Sequence, residues 1–333
     1  MGKTWLKKLT LPVLAMLFIY YASNEQDLAT QNLVDTITNQ DTAAQVNVLE
    51  EDYYAVYALH DSDFIVKTYL PKGEEKDPVL AVFDLLTVKA NQLPISTTSL
   101  ISPMTNLLDY SIDDEVLTLN VSKEFLNYDV KNEQKVLESL VWSFTEIPGI
   151  TRVKIEIENE PVSNLNGLLA IGRGLTREMG VNLEIDSMSL DDTQLVTLYF
   201  VTDDSQGGLL VPVTRLISNS VDPVNYAIES LIQGSLGEDY ISVFDNQTTL
   251  LGSPVIQDGL ISLNFSSELY YNEEETQVSS LMLKQLVMTL TEFDEIELVS
   301  VAINGNVKVI DDASRSIVVP TSRLFFEPIK DAN

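Results

Sequence analysis

Apolar and polar positions along this chain follow a pattern that occurs twice. Residues 53–158 and 195–308 carry the same succession of apolar runs, turn residues and apolar stripes, displaced by 142 to 146 residues. The most similar stretches are 117–125 and 261–269, where apolar residues alternate with Thr, Ser or Asn. This alternation predicts a strand that is covered on one face. The repeat predicts two similar domains and indicates that the shared positions belong to cores and turns.

Each copy begins with two apolar strands and a helix. Residues rich in β-branched and aromatic side chains predict strands over 53–59, 64–70, 195–201 and 209–216. Asp77-Pro78 and Asp222-Pro223 predict helix starts, because Asp caps the first turn and Pro fits the first helical position. One face of each helix is apolar: Val79, Val82, Phe83 and Leu86, and Val224, Ala227, Ile228 and Leu231.

The second half of each copy predicts a hairpin, a helix and a final strand. Asp258-Gly259 predicts a tight turn because Gly adopts positive φ easily, whereas Asp114-Glu115 predicts a different turn. The second helices carry apolar stripes: Val136, Leu137, Leu140, Val141 and Phe144, and Met282, Leu283, Leu286, Val287 and Leu290. Final strands are predicted over 152–157 and 296–303. The order ββαββ(β)αβ predicts an α/β, two-layer domain, with one mixed sheet and its helices on one face.

The N-terminus has the layout of an export signal. Lys3, Lys7 and Lys8 precede an apolar run over 9–22. The end of this run lacks a small-x-small cleavage site, which favours an uncleaved membrane anchor, and a cleaved signal peptide is the alternative. Either predicts that the rest of the chain lies on the extracytoplasmic side of the cell membrane. Residues 23–51 are rich in Asn, Gln, Thr, Asp and Ala and predict a flexible tether.

The composition excludes several classes of function. Fifty Asp and Glu against 20 Lys and Arg give a net charge of −30, which predicts repulsion from nucleic acid phosphates and anionic lipid. The absence of Cys excludes disulfides, thiolate metal sites, thiol catalysis and lipid attachment at a lipobox. His60, the single histidine, excludes multi-histidine metal sites, and its position predicts an exposed turn.

Short motifs along the chain predict no catalytic, cofactor or metal site. Gly172-Arg173-Gly174 lacks the third Gly and the preceding strand of a dinucleotide site. Residues 273–275, three Glu, predict a favourable helix start, and the Asp pairs at 191–192 and 203–204 lack the spacing of an EF-hand loop. Asn120, Asn246 and Asn264 form glycosylation sequons by pattern, but two of them lie in the repeated strand.

The repeated unit resembles the GerM-type (GerMN) domain. The segments that carry the resemblance best are in the second copy: 196–200, 210–213, 231–234, 258–265 and 289–293. Such domains occur in tandem in a sporulation and germination protein, and singly in other bacterial envelope lipoproteins. The resemblance implies a fold similar to the ring-building motifs of export and sporulation complexes. It also implies a non-catalytic module, since the family has no catalytic motif to carry over.

These observations predict the following layout: a signal or anchor segment at 1–22, a tether at 23–51, a first GerM-type domain at 52–160, a linker at 161–194, a second domain at 195–310 and a C-terminal tail at 311–333. Thr176-Arg177 in the linker recurs as Thr321-Ser322-Arg323 in the apolar tail. The tail predicts an extra strand or cover on the second domain, and a strand added to a partner's sheet is the alternative.

The predicted function is that of a membrane-tethered extracytoplasmic scaffold or interaction protein of the bacterial envelope. It would act in sporulation or germination if the organism forms spores. Its partners would be envelope proteins, in an oligomeric ring or a wall-associated complex, with no nucleic acid and no enzymatic activity. The alternative is an envelope protein that binds or processes peptidoglycan or polysaccharide.

Overall fold

The computed structural model describes residues 53–167, 170–185, 192–202, 208–237, 240–272, 276–317 and 320–326. None of the helices in these residues has the length and apolar character needed to cross a bilayer. The predicted anchor at 1–22 and tether at 23–51 lie outside the described residues. So do Asp191, the Asp pair at 203–204, the three Glu at 273–275 and the end of the tail at 327–333.

Helices and strands follow the predicted order closely. In the described residues, the α-helices are α1 (Pro78–Leu86), α2 (Glu133–Phe144), α3 (Pro223–Gln233) and α4 (Ser280–Leu290). The strands of the first copy are β1 (Tyr53–His60), β2 (Ile65–Pro71), β3 (Thr97–Thr98), β4 (Leu107–Asp113), β5 (Val116–Val121), β6 (Arg152–Ile157) and β7 (Glu160–Pro161). The remaining strands are β8 (Glu184–Ile185), β9 (Thr193–Thr202), β10 (Leu210–Ser218), β11 (Tyr240–Ile241), β12 (Val255–Gln257), β13 (Leu260–Phe265), β14 (Gln277–Val278), β15 (Leu298–Ile303) and β16 (Ile310–Asp311).

The chain forms two compact units, and the division between them falls inside the second copy of the repeat. The large unit contains described residues 53–242, and the small unit contains described residues 243–326. The second copy therefore contributes β9, β10, β11 and α3 to the large unit, and β12, β13, β15 and α4 to the small unit.

The main sheet of the large unit combines strands from both copies. Its order is β11-β9-β10-β2-β1-β3, and β8 pairs with β10 beside it. This arrangement corrects the prediction of one mixed sheet for each copy, because β4-β5-β6-β7 form a separate four-stranded sheet. The reason lies in the burial of the first strands. Consecutive residues of β1, such as Val56, Tyr57 and Ala58, are all fully buried, so this strand is covered on both faces.

A local two-fold relation connects the two copies in this sheet. β1 and β9 occupy equivalent places, and Leu59 pairs with Thr98 as Val201 pairs with Ile241. The hydroxyls of the equivalent residues Tyr57 and Tyr199 lie 3.2 Å apart. A contact between equivalent residues is what a two-fold axis produces.

Asn182 closes the seam where the two copies meet. β2 and β10 share a single paired position, Lys67 with Leu210, and Pro212 has no N–H to offer its neighbour. Asn182 replaces the missing ladder: Oδ1 accepts from Ile65 N at 2.8 Å, and Nδ2 donates to Ile65 O and Pro212 O at 2.7 Å. Part of the segment predicted as a linker is thus built into the main sheet.

The second sheets of the two copies have the same topology. β5 and β6 are parallel, as are β13 and β15, and an antiparallel hairpin precedes each pair. The prediction that the two hairpin turns differ is wrong. Asp114 and Glu115 have φ of 50° and 64°, and Asp258 and Gly259 have 50° and 82°. The twist of the flanking strands imposes this turn, even where Glu replaces Gly.

The predicted helix caps and apolar stripes are confirmed. The Asp77 carboxylate accepts from Val79 N and Leu80 N, and the Asp222 carboxylate accepts from Asn225 N. Leu140 in α2 and Leu286 in α4 are fully buried, and so are their stripe neighbours. α4 begins at Ser280 with Ser279 as its cap, five residues after the three Glu at 273–275. The core of each unit therefore lies beneath these helices.

Candidate functional site

An arginine clamp holds the C-terminal end of α2. Thr145 follows the helix, donates its hydroxyl to Val141 O at 2.8 Å and accepts from Arg177 Nε at 2.8 Å. Arg177 Nη2 also donates to Glu146 Oε1 at 2.6 Å, and its guanidinium lies 4.5 Å from the centre of the Trp142 ring. The clamp ties the segment after β7 to the end of the helix.

The same clamp occurs at the C-terminal end of α4. Thr291 donates to Val287 O at 2.7 Å and accepts from Arg323 Nε at 2.6 Å. Arg323 Nη2 donates to Glu292 Oε1 and, at 2.9 Å, to Met288 O. In both copies a short antiparallel bridge precedes the arginine: Leu175 pairs with Val153, and Thr321 pairs with Val299. All these equivalent residues are 146 positions apart, so part of the predicted linker and part of the predicted tail are the same repeated element.

Glu146 also receives donors from the main sheet. Lys67 Nζ lies 2.9 Å from Glu146 Oε2, and the Tyr57 hydroxyl donates to Oε1 at 2.8 Å. The Lys67 side chain is only 1% exposed, so the carboxylate compensates a buried ammonium. Three side-chain donors converge on this one carboxylate, an arrangement that fixes strands β1 and β2 against the end of α2. We interpret the cluster as structural.

The repeated sequons also have a structural role. Asn120 Oδ1 accepts from Asn159 N at 2.9 Å, and Asn264 Oδ1 accepts from Gly305 N at 2.9 Å, so each Asn holds the turn after the final strand. Ser122 Oγ accepts from Asn106 N, and Ser266 Oγ accepts from Thr249 N, both at 3.0 Å. Both polar residues of the repeated Asn-x-Ser motif therefore organise neighbouring backbone.

His60 is buried rather than exposed, which corrects the prediction of an exposed turn. It ends β1, its ring stacks on Phe64 with 4.9 Å between centroids, and its Nδ1 accepts from Ser62 N. Thr202 takes the equivalent place in the second copy, where it pairs with Tyr240 as His60 pairs with Thr97. The equivalent position is thus part of the sheet in both copies.

Gly174, Asp192 and Asn246, from the remaining short motifs, lie in turns or loops. Gly174 lies in a turn with φ of 78°, and its N–H donates to Ile171 O. Asp192 Oδ1 accepts from Asn219 Nδ2 at 2.7 Å, and Asn246 is exposed in a turn. Within the described residues, no group of three or more Asp, Glu or His is arranged to hold a metal ion.

The first candidate interaction surface is the outer edge of β4, here called the β4 edge and comprising Leu107–Asp113. β4 is the terminal strand of its sheet and pairs only with β5 among the described strands. Leu108 and Ile112 are 49% and 50% exposed, and Asp109 and Asp113 are exposed between and after them. An exposed edge strand with apolar side chains is a template for pairing with another chain.

The equivalent surface of the second copy is the outer edge of β12, here called the β12 edge and comprising Val255–Gln257. It is three residues long and carries Val255 and Ile256, which are 42% and 41% exposed. Ile256 is opposite Ile261 as Ile112 is opposite Leu117, so the two isoleucines are equivalent. Both copies therefore present an apolar strand edge, but only the β4 edge carries acidic residues within the strand.

A small open cleft lies between the end of β2 and α1. Its volume is about 250 Å³, and its lining includes Tyr54, Glu74, Glu75, Lys89 and Gln92. This is smaller than the roughly 300–1,000 Å³ typical of small-molecule sites. Within the described residues, this cleft is a candidate site for the alternative function, the binding of peptidoglycan or polysaccharide.

The two copies share their helix caps, their arginine clamp and an apolar strand edge, so the chain is a tandem repeat of one α/β module. The chain belongs to the Germane family, described as sporulation and spore germination, whose sequence profile matches residues 55–163 and 197–309. It is 31% identical over 216 residues to the spore germination protein GerM of Bacillus subtilis (strain 168). That match covers 63% of this chain and only 59% of the relative's length. The fold is similar to the solved tandem GerMN domains of the sporulation protein GerM from Bacillus subtilis, with a TM-score of 0.73, 26% identity, and coverage of 81% of this chain and 96% of that one.

The resemblance to tandem GerM-type domains is thereby confirmed, and the structure extends the repeat beyond the matched residues. The family match ends at 163 in the first copy and at 309 in the second. The clamp arginines, Arg177 and Arg323, both lie 14 residues after these ends. The recurrence of a Thr and an Arg in the predicted linker and tail is the signal in the sequence that pointed to this element.

Proposed function

We propose that this protein is a non-catalytic, membrane-tethered scaffold or interaction protein on the extracytoplasmic side of the bacterial envelope, acting in sporulation or germination if the organism forms spores. The observation that carries the proposal is the apolar strand edge present at equivalent places in both copies. Family membership and the export-signal layout of the first 22 residues support the process and the location. Envelope proteins are the proposed partners.

Site-specific photo-crosslinking in the native envelope tests this function. A photoreactive amino acid replaces Ile112 or Ile256 in the full-length protein, and the control position is Glu229, which is exposed on α3. We expect protein adducts from the two edge positions and few from Glu229. Equal adducts at all three positions, or adducts with cytosolic proteins alone, would contradict the proposal. Protease treatment of intact cells whose wall has been removed checks the topology, because an extracytoplasmic body is cleaved from outside.

The alternative function, binding to peptidoglycan or polysaccharide, is supported by the cleft beside Tyr54. The aromatic ring of Tyr54 next to Glu74 and Glu75 combines an apolar surface with hydrogen-bond acceptors, which together suit a sugar ring. Co-sedimentation of the full-length protein with purified cell-wall sacculi measures this binding. If the wall is the ligand, Tyr54→Ala reduces sedimentation and the edge variants Ile112→Asp and Ile256→Asp leave it unchanged. Failure of the unaltered protein to sediment with sacculi favours the scaffold.

A further inference from the structure

The main chain of the β4 edge has hydrogen-bonding groups directed away from its sheet. Asp113 and Val116 flank the two-residue turn of the hairpin, so they form a hydrogen-bonded pair. The alternation of an antiparallel ladder then directs the N–H and C=O groups of Tyr110 and Ile112 outward. The contact from Tyr110 N to Asp109 Oδ1, 2.9 Å, agrees with this, since that N–H is not used by β5. The edge can therefore receive one further strand.

The side chains of the β4 edge divide between two faces. Tyr110 and Ile112 lie opposite Leu119 and Leu117, which are buried on the helix side of the sheet. Asp109, Ser111 and Asp113 project to the other face. A strand added beside β4 would therefore place alternate residues next to an apolar row and next to a row with two carboxylates.

Charge decides which strand fits this edge. Residues 109–115 contain four acidic residues: Asp109 and Asp113 in the strand, and Asp114 and Glu115 in the adjoining turn. Directly opposed like charges destabilise neighbouring strands, whereas opposite charges stabilise them. A second copy of this edge would bring acid against acid. The complementary occupant carries Lys or Arg opposite Asp109 and Asp113.

We infer that the β4 edge binds an extended basic segment of another protein, which adds to the sheet as an antiparallel strand. The segment carries cations at positions 1 and 5, opposite Asp113 and Asp109, and apolar residues at positions 2 and 4, opposite Ile112 and Tyr110. As it docks, its carbonyl replaces the Asp109 carboxylate as acceptor for Tyr110 N, which releases that carboxylate for the incoming cation. This inference rests on the proposed interaction function and names the chemistry of one partner.

The direct test is binding of short peptides to the full-length protein in a nonionic detergent, measured by fluorescence anisotropy. The probe contains Lys-Val-Thr-Val-Lys, and its comparison peptide contains Glu-Val-Thr-Val-Glu. We expect the lysine peptide to bind about tenfold more tightly or better, and to weaken as salt is raised. The Asp109→Lys/Asp113→Lys variant should reverse the preference. The control variant Glu160→Lys/Glu229→Lys, which changes the net charge equally at exposed sites off the β4 edge, should retain it.

N-methylation of the peptide tests strand addition without altering the protein. With the peptide antiparallel to β4, methyl groups on the two Val nitrogens remove the donors that face β4, whereas methyl groups on the Thr and second Lys nitrogens remove donors that face away. The first peptide should lose about tenfold or more in affinity relative to the second. Equal losses, or equal binding of a scrambled lysine peptide, would show that charge alone attracts the peptide and would overturn the inference.

The peptide and crosslinking experiments separate failure of this inference from failure of the proposed function. If Ile112 yields envelope adducts in cells but the lysine peptide does not bind, the basic strand is wrong and the interaction function stands. If the peptide binds but no edge-specific adducts form, the edge has the inferred chemistry and the envelope role is wrong. Self-association of the full-length chain that Asp109→Lys/Asp113→Lys abolishes would assign the edge to a second copy and would overturn the inference.

Discussion

The two copies of the repeat keep the same backbone with different residues, and their turns show this most directly. The second copy uses Gly259 and Gly305 at positions with positive φ, where glycine has no Cβ to clash. The first copy places Glu115 and Asn159 at the equivalent positions, with φ of 64° and 69°. The turn geometry is thus set by the strands on either side, and the first copy tolerates the conformational cost.

The two copies also differ in some of their polar clusters and in their strand edges. The clamp of Thr, Glu and Arg is retained in both, whereas Lys67 beside Glu146 has Pro212 as its counterpart in the second copy. The first edge is seven residues long and acidic, and the second is three residues long and neutral within the strand. The arginine clamp is therefore kept in both copies, while the exposed strand edges differ in length and charge.

The largest expected effect comes from a charge in the helix stripe. Leu140 and Leu286 are equivalent and fully buried, so Leu140→Asp and Leu286→Asp each bury an uncompensated carboxylate. We expect each to cost at least about 4 kcal/mol, on the order of a small domain's whole stability. Hydrogen–deuterium exchange should show loss of protection in the large unit for Leu140→Asp and in the small unit for Leu286→Asp. Full protection in either variant would mean that the helix register is wrong.

The second largest effect is expected at Glu146, where two variants separate its ion pair with Lys67 from its ion pair with Arg177. Glu146→Ala removes the carboxylate that serves both Lys67 and Arg177, and we expect a loss of about 2–3 kcal/mol, because Lys67 is buried. Arg177→Met keeps the pair of Glu146 with Lys67 and an apolar stem over Trp142, so about 1 kcal/mol is expected. Chemical denaturation measures both. If Arg177→Met lowers the free energy of unfolding more than Glu146→Ala does, the clamp contributes more to stability than the pair of Glu146 with Lys67.

A smaller effect is expected at the hairpin turns. Glu115→Gly should stabilise the protein by about 0.5–1 kcal/mol, because it relieves positive φ at the expense of a more flexible unfolded chain. The reciprocal Gly259→Glu should destabilise the protein by a similar amount, because Glu would adopt the positive φ of Gly259. No steric clash adds to this cost, since the nearest atom to an added Cβ is 3.7 Å away. Melting temperatures of the two variants would contradict this account if they shifted in the same direction.

The last prediction concerns pH rather than overall stability. Burial raises the pKa of Glu138, although bonds from Gln134 and Asn182 N and the charge of Lys135 oppose the shift. A raised pKa means that the native protein loses stability as pH rises from the ordinary value of 4.5 through the shifted one. Glu138→Gln should therefore gain stability relative to the native protein across that window and keep the gain at pH 7. The exposed control Glu160→Gln should follow the native curve, and a parallel curve for Glu138→Gln would refute the shift.

Much of the fold follows from local patterns. The caps at Asp77 and Asp222 and the stripes of α2 and α4 depend on neighbours within one or two turns, so the sequence predicts them well. Local turn preference predicts the wrong turn at Asp114-Glu115, because the twist of the paired strands decides the turn there. His60 was predicted to be exposed because its burial depends on Phe64 and β3, which the position beside a turn does not reveal.

The long-range ties could not be predicted from periodicity. Arg177 meets Thr145 across 32 residues, and Asn182 meets Ile65 across 117, and neither distance leaves a mark on local composition. The recurrence of Thr and Arg after each copy is visible in the sequence. Only the structure shows that a β-bridge brings each arginine to the end of its helix. The acids of the β4 edge were not singled out in the sequence, because their exposure depends on the place of β4 at the end of its sheet.

The sequence by itself determined the repeat, the order of helices and strands, the apolar stripes and the family, because these are encoded in local periodicity and in residues matched position by position. Only the tertiary structure decided that the first strands of both copies share one sheet, that Asn182 seals their seam and that one acidic strand edge is left open. The physical reason is that strand pairing and buried ion pairs join residues far apart in the chain, whose partners are selected by the geometry of the whole unit.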